Sequence, residues 1–317
     1  MKSNEAAFIE ALRLRADSTG GWSGPSFGHA LPPGVSITDG VSVRTRLLEP
    51  GGTLRARRPA ADLMLFHHAG GPVEVRLSDP VTGSSPVLVG DAASNGAVPQ
   101  LVVPAGTRHT VVALSGHGAP LWSEAVVPSR ADDAPLPLPD TPAGGLAAIP
   151  RTHGLATGLL LRTRLGLTPH VEGGYYRQTY QTTRTLPTPR GERYVANSIL
   201  YLLDEESPIG FLHSNTSDIT HFVHGPGPIR YRMLAPDGSL HEETLGTDVA
   251  VGERPVITCP AGWWKSSALD DAVDAGLISE LVAPGFDFAD QELLTAENLA
   301  ASYPHVLDEL GAYVRSR

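Results

Sequence analysis

The stretch FLHSNTSDITHFVHG at residues 211–225, together with PAGWWK at 260–265, decides how the chain is read. In a small β-barrel that holds a compact ligand, two such strands, each ending in a Gly or Pro-x-Gly turn, bring inward-facing polar groups together. His213, Asp218, His221 and Lys265 are therefore expected to converge on one chemical centre. Moved upstream by 156 positions, the pattern recurs without a gap: Asp62 answers Asp218, Phe66 answers Phe222, His68 answers His224, Pro104-Ala105-Gly106 answers Pro260-Ala261-Gly262, and Ser123-Glu124 answers Ser279-Glu280. The chain holds two copies of one domain, a repeat that must be recognised before elements are assigned.

The 317 residues are enough for two domains with sizeable cores. A formal net charge of -10 argues against a nucleic acid or an anionic membrane as partner, since either wants a basic face, and favours a small-molecule substrate. The single cysteine, Cys259, excludes an intrachain disulfide and a Cys-rich zinc site and points to a reducing, cytoplasmic setting. No apolar run approaches the roughly 20 residues of a membrane span, and the polar N-terminus MKSNEAAFIEALRLRAD lacks the apolar core of a secretory signal. Only two lysines occur, Lys2 and Lys265, which makes Lys265 conspicuous.

Residues 5–16 carry Phe8, Ile9, Leu12 and Ala16 near helical spacing, and 20–34 is rich in turn residues. From 41 to 127, short runs of Val, Leu and Thr are broken by Gly, Pro, Asp or Ser, the pattern of an antiparallel all-β domain. Three parts follow: an N-terminal domain over 1–128, a Pro-rich linker over 129–152, and a C-terminal domain over 153–317. The last opens with a helix near 155–165, continues in strands from 173 to 282, and closes in helices broken at Pro304.

LGLTPHVEGGYY at 165–176, SILYLL at 198–203, His213 followed by SDITHF at 217–222, LG at 245–246, CPAGWW at 259–264 and APGFDFAD at 283–290 resemble the Cupin_5 family of the cupin superfamily. The resemblance covers roughly 160–310, and more faintly 41–128. It implies two tandem double-stranded β-helix (jelly-roll) barrels, a bicupin, with any ligand inside the barrel. It also implies that the copies pair as an intrachain pseudo-dimer, with a homodimer as a further level of assembly. It says little about reaction, because a shared fold does not confer a shared function. The general cupin metal pattern, a His-x-His pair and a Glu followed by a distant His, falls here on Phe211, His213, Asp218 and Lys265, and in the first copy on Arg55, Arg57, Asp62 and His109. Neither copy keeps the usual set, so no cofactor is expected.

The alternative is a divalent transition metal (Fe, Ni, Mn or Zn) held by His213, Asp218 and His221, because such an ion wants imidazole and carboxylate converging with open positions. Strict alternation from Asp218 turns His221 to the opposite face, and Lys265 would add a positive charge beside any ion. Without a metal the same side chains suit proton transfer: an Asp holds a His in one tautomer, and a desolvated lysine with a lowered pKa serves as acid, base or anion anchor. Glu172, Tyr175 and Arg177 are placed at the entrance, with Gly173 and Gly174 allowing close backbone approach; Trp263 is placed as an apolar wall, and Asn197 and Tyr201 on a neighbouring strand. Residues common to both copies, namely His68/His224, Asp62/Asp218 and Glu124/Glu280, are assigned to the fold, and those that differ to specialisation.

The expected function is a metal-independent isomerase, epimerase or cyclase acting on a small oxygenated metabolite, in a biosynthetic setting, with His213 as base, Asp218 orienting it and Lys265 as acid or anion anchor. The alternatives are a metal-dependent oxygenase or lyase, and a non-catalytic binding bicupin.

Overall fold

The computed structural model describes residues 4–29, 40–78, 86–94, 96–128 and 157–315. The expected linker, 129–152, lies outside the described residues. Apart from short peripheral helices the molecule is built of strands, paired antiparallel except where Pro86–Val89 meets Ala97–Val98. The N-terminal helix, Asn4–Ala11, is shorter than its periodicity predicts. Arg13 adopts a left-handed φ of 53° just after it, and Arg15–Ala16 already belongs to the first sheet.

In each copy two sheets face each other. The first copy pairs a sheet whose centre runs Ser42–Leu47, Leu121–Val127, Asp62–Ala69, Gln100–Val103 with a smaller one ordered Arg108–Ala113, Val73–Ser78, Pro86–Val89, Ala97–Val98. The second copy pairs Tyr175–Gln181, Asn197–Asp204, Ala275–Ala283, Asp218–Pro226, Val256–Cys259 with Leu240–Leu245, Ile229–Leu234, Trp264–Ala268, Ile209–Asn215, Gln291–Leu293. These are the two tandem all-β barrels that the repeat foretold. Helix Thr157–Leu165 covers the outside of the second barrel through Leu161 and Leu165, packed with Leu200, Leu202 and Leu277.

The barrel interiors differ. The first is filled with apolar side chains, among them Leu63, Leu65, Val75, Val111 and Trp122. The second is lined by Tyr201, Val223, Tyr231, Ile257 and Ile278 around a set of polar groups described below.

The copies meet along strands Asp62–Ala69 and Asp218–Pro226. Phe66 and Phe222 stack with ring centroids 4.0 Å apart and planes within 4°, a contact worth about 0.5–1.5 kcal/mol beyond its buried area. His68 Nδ1 lies 2.8 Å from the Val223 carbonyl oxygen, and His224 Nδ1 lies 2.6 Å from that of His67. A carbonyl only accepts, so both rings carry their hydrogen on Nδ1. Their Nε2 atoms face Ser123 Oγ at 2.8 Å and Ser279 Oγ at 2.7 Å. One hydrogen-bond pattern thus appears twice, related by the repeat. The other face of strand Asp218–Pro226, carrying Ile219, His221 and Val223, is turned into its own barrel.

Candidate functional site

Strands Ile209–Asn215 and Trp264–Ala268 lie side by side with His213 opposite Lys265, and strand Ala275–Ala283 sets Glu280 opposite His221 of strand Asp218–Pro226. All four side chains are buried. Lys265 Nζ donates to Glu280 Oε1 at 3.1 Å and to His221 Nε2 at 3.0 Å. Burial disfavours the ammonium, but Glu280 and Glu172 outweigh it and hold Lys265 above the usual lysine range. The expectation of a lowered lysine pKa is therefore corrected: the neighbouring carboxylates keep this amine protonated and unsuited to Schiff-base chemistry. Burial likewise opposes ionisation of Glu280, yet the Lys265 ammonium holds it well below the ordinary carboxylate range. His221 is kept neutral by burial and by the lysine.

Glu172 completes the site from the turn at 170–174. Its backbone carbonyl accepts from Phe211 N at 2.6 Å, and Tyr201 donates its hydroxyl to Gly173 O at 2.9 Å. Position 173 requires glycine, because its φ is 90° and a Cβ there would sit 2.2 Å from the Ile209 carbonyl oxygen. The turn so placed presents Glu172 Oε2 at 3.1 Å from His213 Nε2, while Gln291 Nε2 donates to Oε1. His213 Nδ1 lies 2.7 Å from the Phe211 carbonyl oxygen, so Nδ1 bears the hydrogen and Nε2 offers a lone pair. Burial, with a smaller contribution from Glu280 opposed by Lys265, pushes the Glu172 carboxyl up to about 8. Burial and the Lys265 charge pull His213 well below the ordinary imidazole range. At neutral pH the pair is a protonated carboxyl donating to a neutral imidazole.

This pair opens onto a cavity of about 120 Å³. Tyr176, Ile199, Ile219 and Val282 form its apolar wall; Asn197, Asn215 and Glu280 add polar groups; Phe286 and the exposed Phe288 stand in edge-to-face contact, ring centroids 5.0 Å apart, at its mouth.

Several expected site residues stand elsewhere. Asp218 does not orient His213: its Oδ1 accepts from Ala261 N at 2.9 Å, tying down the Pro260-Ala261-Gly262 turn, as Asp62 Oδ1 does for Ala105 N at 2.8 Å. Glu172 and the Phe211 carbonyl hold the imidazole instead. Tyr175 and Arg177 are on the outer face, where the Tyr175 ring lies 4.3 Å below the Arg162 guanidinium and Arg177 reaches toward Gly166. The strand's other face, with Tyr176 and Gln178, lines the cavity. Trp263 packs half-buried against His241, ring centroids 5.0 Å apart, and is not part of the wall. Asn197 borders the cavity, yet both ends of its amide are spent on Phe286, donating to its carbonyl at 3.2 Å and accepting from its N–H at 3.0 Å. Tyr201 positions the Glu172 turn. Glu280, assigned to the fold because both copies carry it, is instead in the centre of the site. Cys259 is buried, its thiol pushed up to about 12, and stays protonated.

A divalent ion does not fit these side chains as arranged. Of the expected ligands, Asp218 is engaged in its turn, and the Nε2 lone pair of His221 accepts from the lysine ammonium. Among the described residues no three His, Cys, Asp or Glu side chains gather as a metal-ligand set.

Two facing-sheet barrels in tandem, the second with a cavity and a mouth, are the architecture of a bicupin. The chain belongs to the cupin superfamily: the family described as Cupin superfamily (DUF985) matches residues 6–130 and 161–294. The uncharacterized protein YML079W of Saccharomyces cerevisiae is 36% identical over 146 residues, which cover 42% of this chain and 72% of the yeast protein. Among solved structures, a hypothetical protein from Leishmania major is 28% identical, covering 50% of this chain and 98% of its own, with a TM-score of 0.48. A Bacillus subtilis oxalate decarboxylase, described with Mn(II) centres, is 13% identical, covering 96% and 85%, with a TM-score of 0.47. None of these relatives carries a reaction over to this chain. No helix among the described residues is long and apolar enough to cross a membrane.

Proposed function

We propose that the second barrel is an acid–base catalyst that moves a proton within a small oxygenated carbonyl compound, an isomerase-type activity. The observation that supports this is the hydrogen bond between Glu172 Oε2 and His213 Nε2, 3.1 Å long, at the cavity wall. A carboxyl shifted to about 8 is protonated at neutral pH and still acidic enough to give up its proton. In the proposed step the substrate parts this hydrogen bond, and the proton on the carbon next to the carbonyl passes to the freed His213 Nε2 as the Glu172 proton passes to the carbonyl oxygen. The products are an enol, an imidazolium and a carboxylate. In an α-hydroxy carbonyl compound His213 then gives its proton to the former carbonyl carbon as Glu172 takes one from the neighbouring hydroxyl oxygen, which gives the isomer and returns both side chains to their starting states. One base on one side of the substrate suits a 1,2-shift better than epimerisation, which needs a proton donor on the opposite face. Lys265 acts through its neighbours, keeping Glu280 ionised and His213 neutral.

The test is a panel of small enolisable carbonyl compounds incubated in D₂O, with exchange of the carbon-bound hydrogens followed by NMR. The wild type should catalyse exchange, and His213→Ala and Glu172→Gln should each lower the rate about 10²–10⁴-fold while still melting cooperatively as folded proteins. Full activity in both variants, or no exchange by the wild type on any compound, would sink the proposal.

A further inference from the structure

Two asparagines line the cavity, and the structure uses them differently. Asn197 satisfies both ends of its amide on the Phe286 backbone. Asn215, two residues along the same strand from His213 and therefore on the same face, satisfies only one. Its Oδ1 accepts from Ser217 N at 2.9 Å, which settles the amide's orientation, since an NH₂ group could not accept there. Asn215 is 5% exposed, and its Nδ2 has no hydrogen-bond partner among the described residues. A buried donor left unmade costs about 1–3 kcal/mol, so in a residue that lines the cavity it is most simply explained as awaiting an acceptor.

The charge of the cavity says which acceptor. Among the described residues that line it, Glu280 is the one ionised at neutral pH, Glu172 being protonated; Lys265 is turned to Glu280 and His221, and no arginine is in that lining. A carboxylate or phosphate entering here would face Glu280 while Lys265, the cation beside it, is already engaged by that carboxylate and by His221, whereas a carbonyl or hydroxyl oxygen needs only a neutral donor.

We infer that Asn215 is a substrate-binding residue whose Nδ2 donates to the carbonyl oxygen of an uncharged carbonyl compound, and that the site discriminates against anionic ones. This deepens the proton-transfer reading by naming the substrate class; in that reading the amide also steadies the oxygen as the enol forms. Binding and turnover remain separable. With hydroxyacetone as probe and pyruvate as an anionic comparator of similar size, the Asn215 side-chain amide signal is followed by NMR titration of the full chain. Hydroxyacetone should shift that signal saturably, and pyruvate should not. Asn215→Asp, which keeps the acceptor for Ser217 N but removes the donor, should weaken hydroxyacetone binding about tenfold or more. Asn215→Leu gives the same loss without added charge, and thermal melts confirm that both variants fold. Equal binding by wild type and both variants, tighter binding of pyruvate than of hydroxyacetone, or no saturable hydroxyacetone binding by the wild type would overturn the inference. Binding that follows these expectations without deuterium exchange would leave the inference standing and remove the proton-transfer reading instead.

Discussion

The two barrels carry the same buried glutamate and use it in opposite ways. In the first, Glu124 is gripped by Arg46 Nε at 2.9 Å and by Arg57, whose Nε also donates to His109 Nε2 at 3.1 Å. Leu65 and Trp122 fill the space beside it. In the second, the equivalents of Arg57, Leu65 and His109 are His213, His221 and Lys265, and a single lysine answers Glu280. Several guanidiniums, with Arg44 a third at 3.7 Å, close an interior. Fewer cations, with a second carboxyl brought in on a turn, leave a pair of proton carriers beside a cavity. What distinguishes a structural barrel from a chemically equipped one is how completely one buried carboxylate is neutralised.

Removing that carboxylate is the most forceful way to break the comparison. Glu124→Gln leaves the buried Arg46 and half-buried Arg57 guanidiniums with, among the described residues, only Asp17, 3.4 Å from Arg46, as a remaining carboxylate, and should cost roughly 3–5 kcal/mol in urea unfolding. Glu280→Gln should cost less, about 1–3 kcal/mol, because Glu172 can ionise and answer Lys265. Glu280 raises the Glu172 pKa, so its removal should also move the basic limb of any pH–rate profile downward. Equal costs for the two variants would mean that the barrels are not differently balanced.

A pH series sharpens the same contrast. Glu172 has its folded-state pKa raised from 4.5 to about 8, so it binds its proton more tightly folded than unfolded. That contribution to stability is fully present below about pH 4.5 and is lost as pH rises through 8. Wild type should therefore lose stability relative to Glu172→Gln over this window, and activity should fall above it. Parallel unfolding curves of the two proteins from pH 5 to 9 would contradict the assignment.

The smallest effects belong to the seam where the copies are alike. His68→Ala and His224→Ala each remove one ring that bridges a backbone carbonyl of the other copy to a serine, and should cost about 1–3 kcal/mol and nearly the same amount. Both rings are buried neutral, with pKa values lowered to about 3 from 6.5. Their stabilisation is present above pH 6.5 and is lost as pH falls toward 3. A large difference between the two variants would show that the seam is not used symmetrically.

The repeat, the all-β architecture and the cupin likeness were legible in the sequence, because the 156-residue offset, the Pro-Ala-Gly turns and the short broken strands are local signals. So was the meeting of His213, His221 and Lys265. The face of each strand was not. Strand Asp218–Pro226 is buried on both sides through His224, one face against its own barrel and the other against the first copy. Polarity therefore cannot tell inside from seam, and alternation counted from Asp218 selects the seam. The same one-residue parity puts Tyr175 and Arg177 outside and Tyr176 and Gln178 at the cavity. Asn215 and Glu280 carried no signal: Asn215 belongs to no motif, and Glu280 has a counterpart in Glu124, which points to the fold rather than to chemistry.

The sequence by itself determined that the chain repeats, that it folds as two barrels, and which polar residue types the second barrel acquired. Tertiary structure decided which of them meet. Glu172 reaches His213 through a glycine turn 41 residues upstream, and Glu280 reaches Lys265 across facing sheets. The physical reason is that a strand's pattern records whether its faces are buried, whereas the chemistry depends on what buries them. That partner comes from the pairing of sheets and copies distant in sequence.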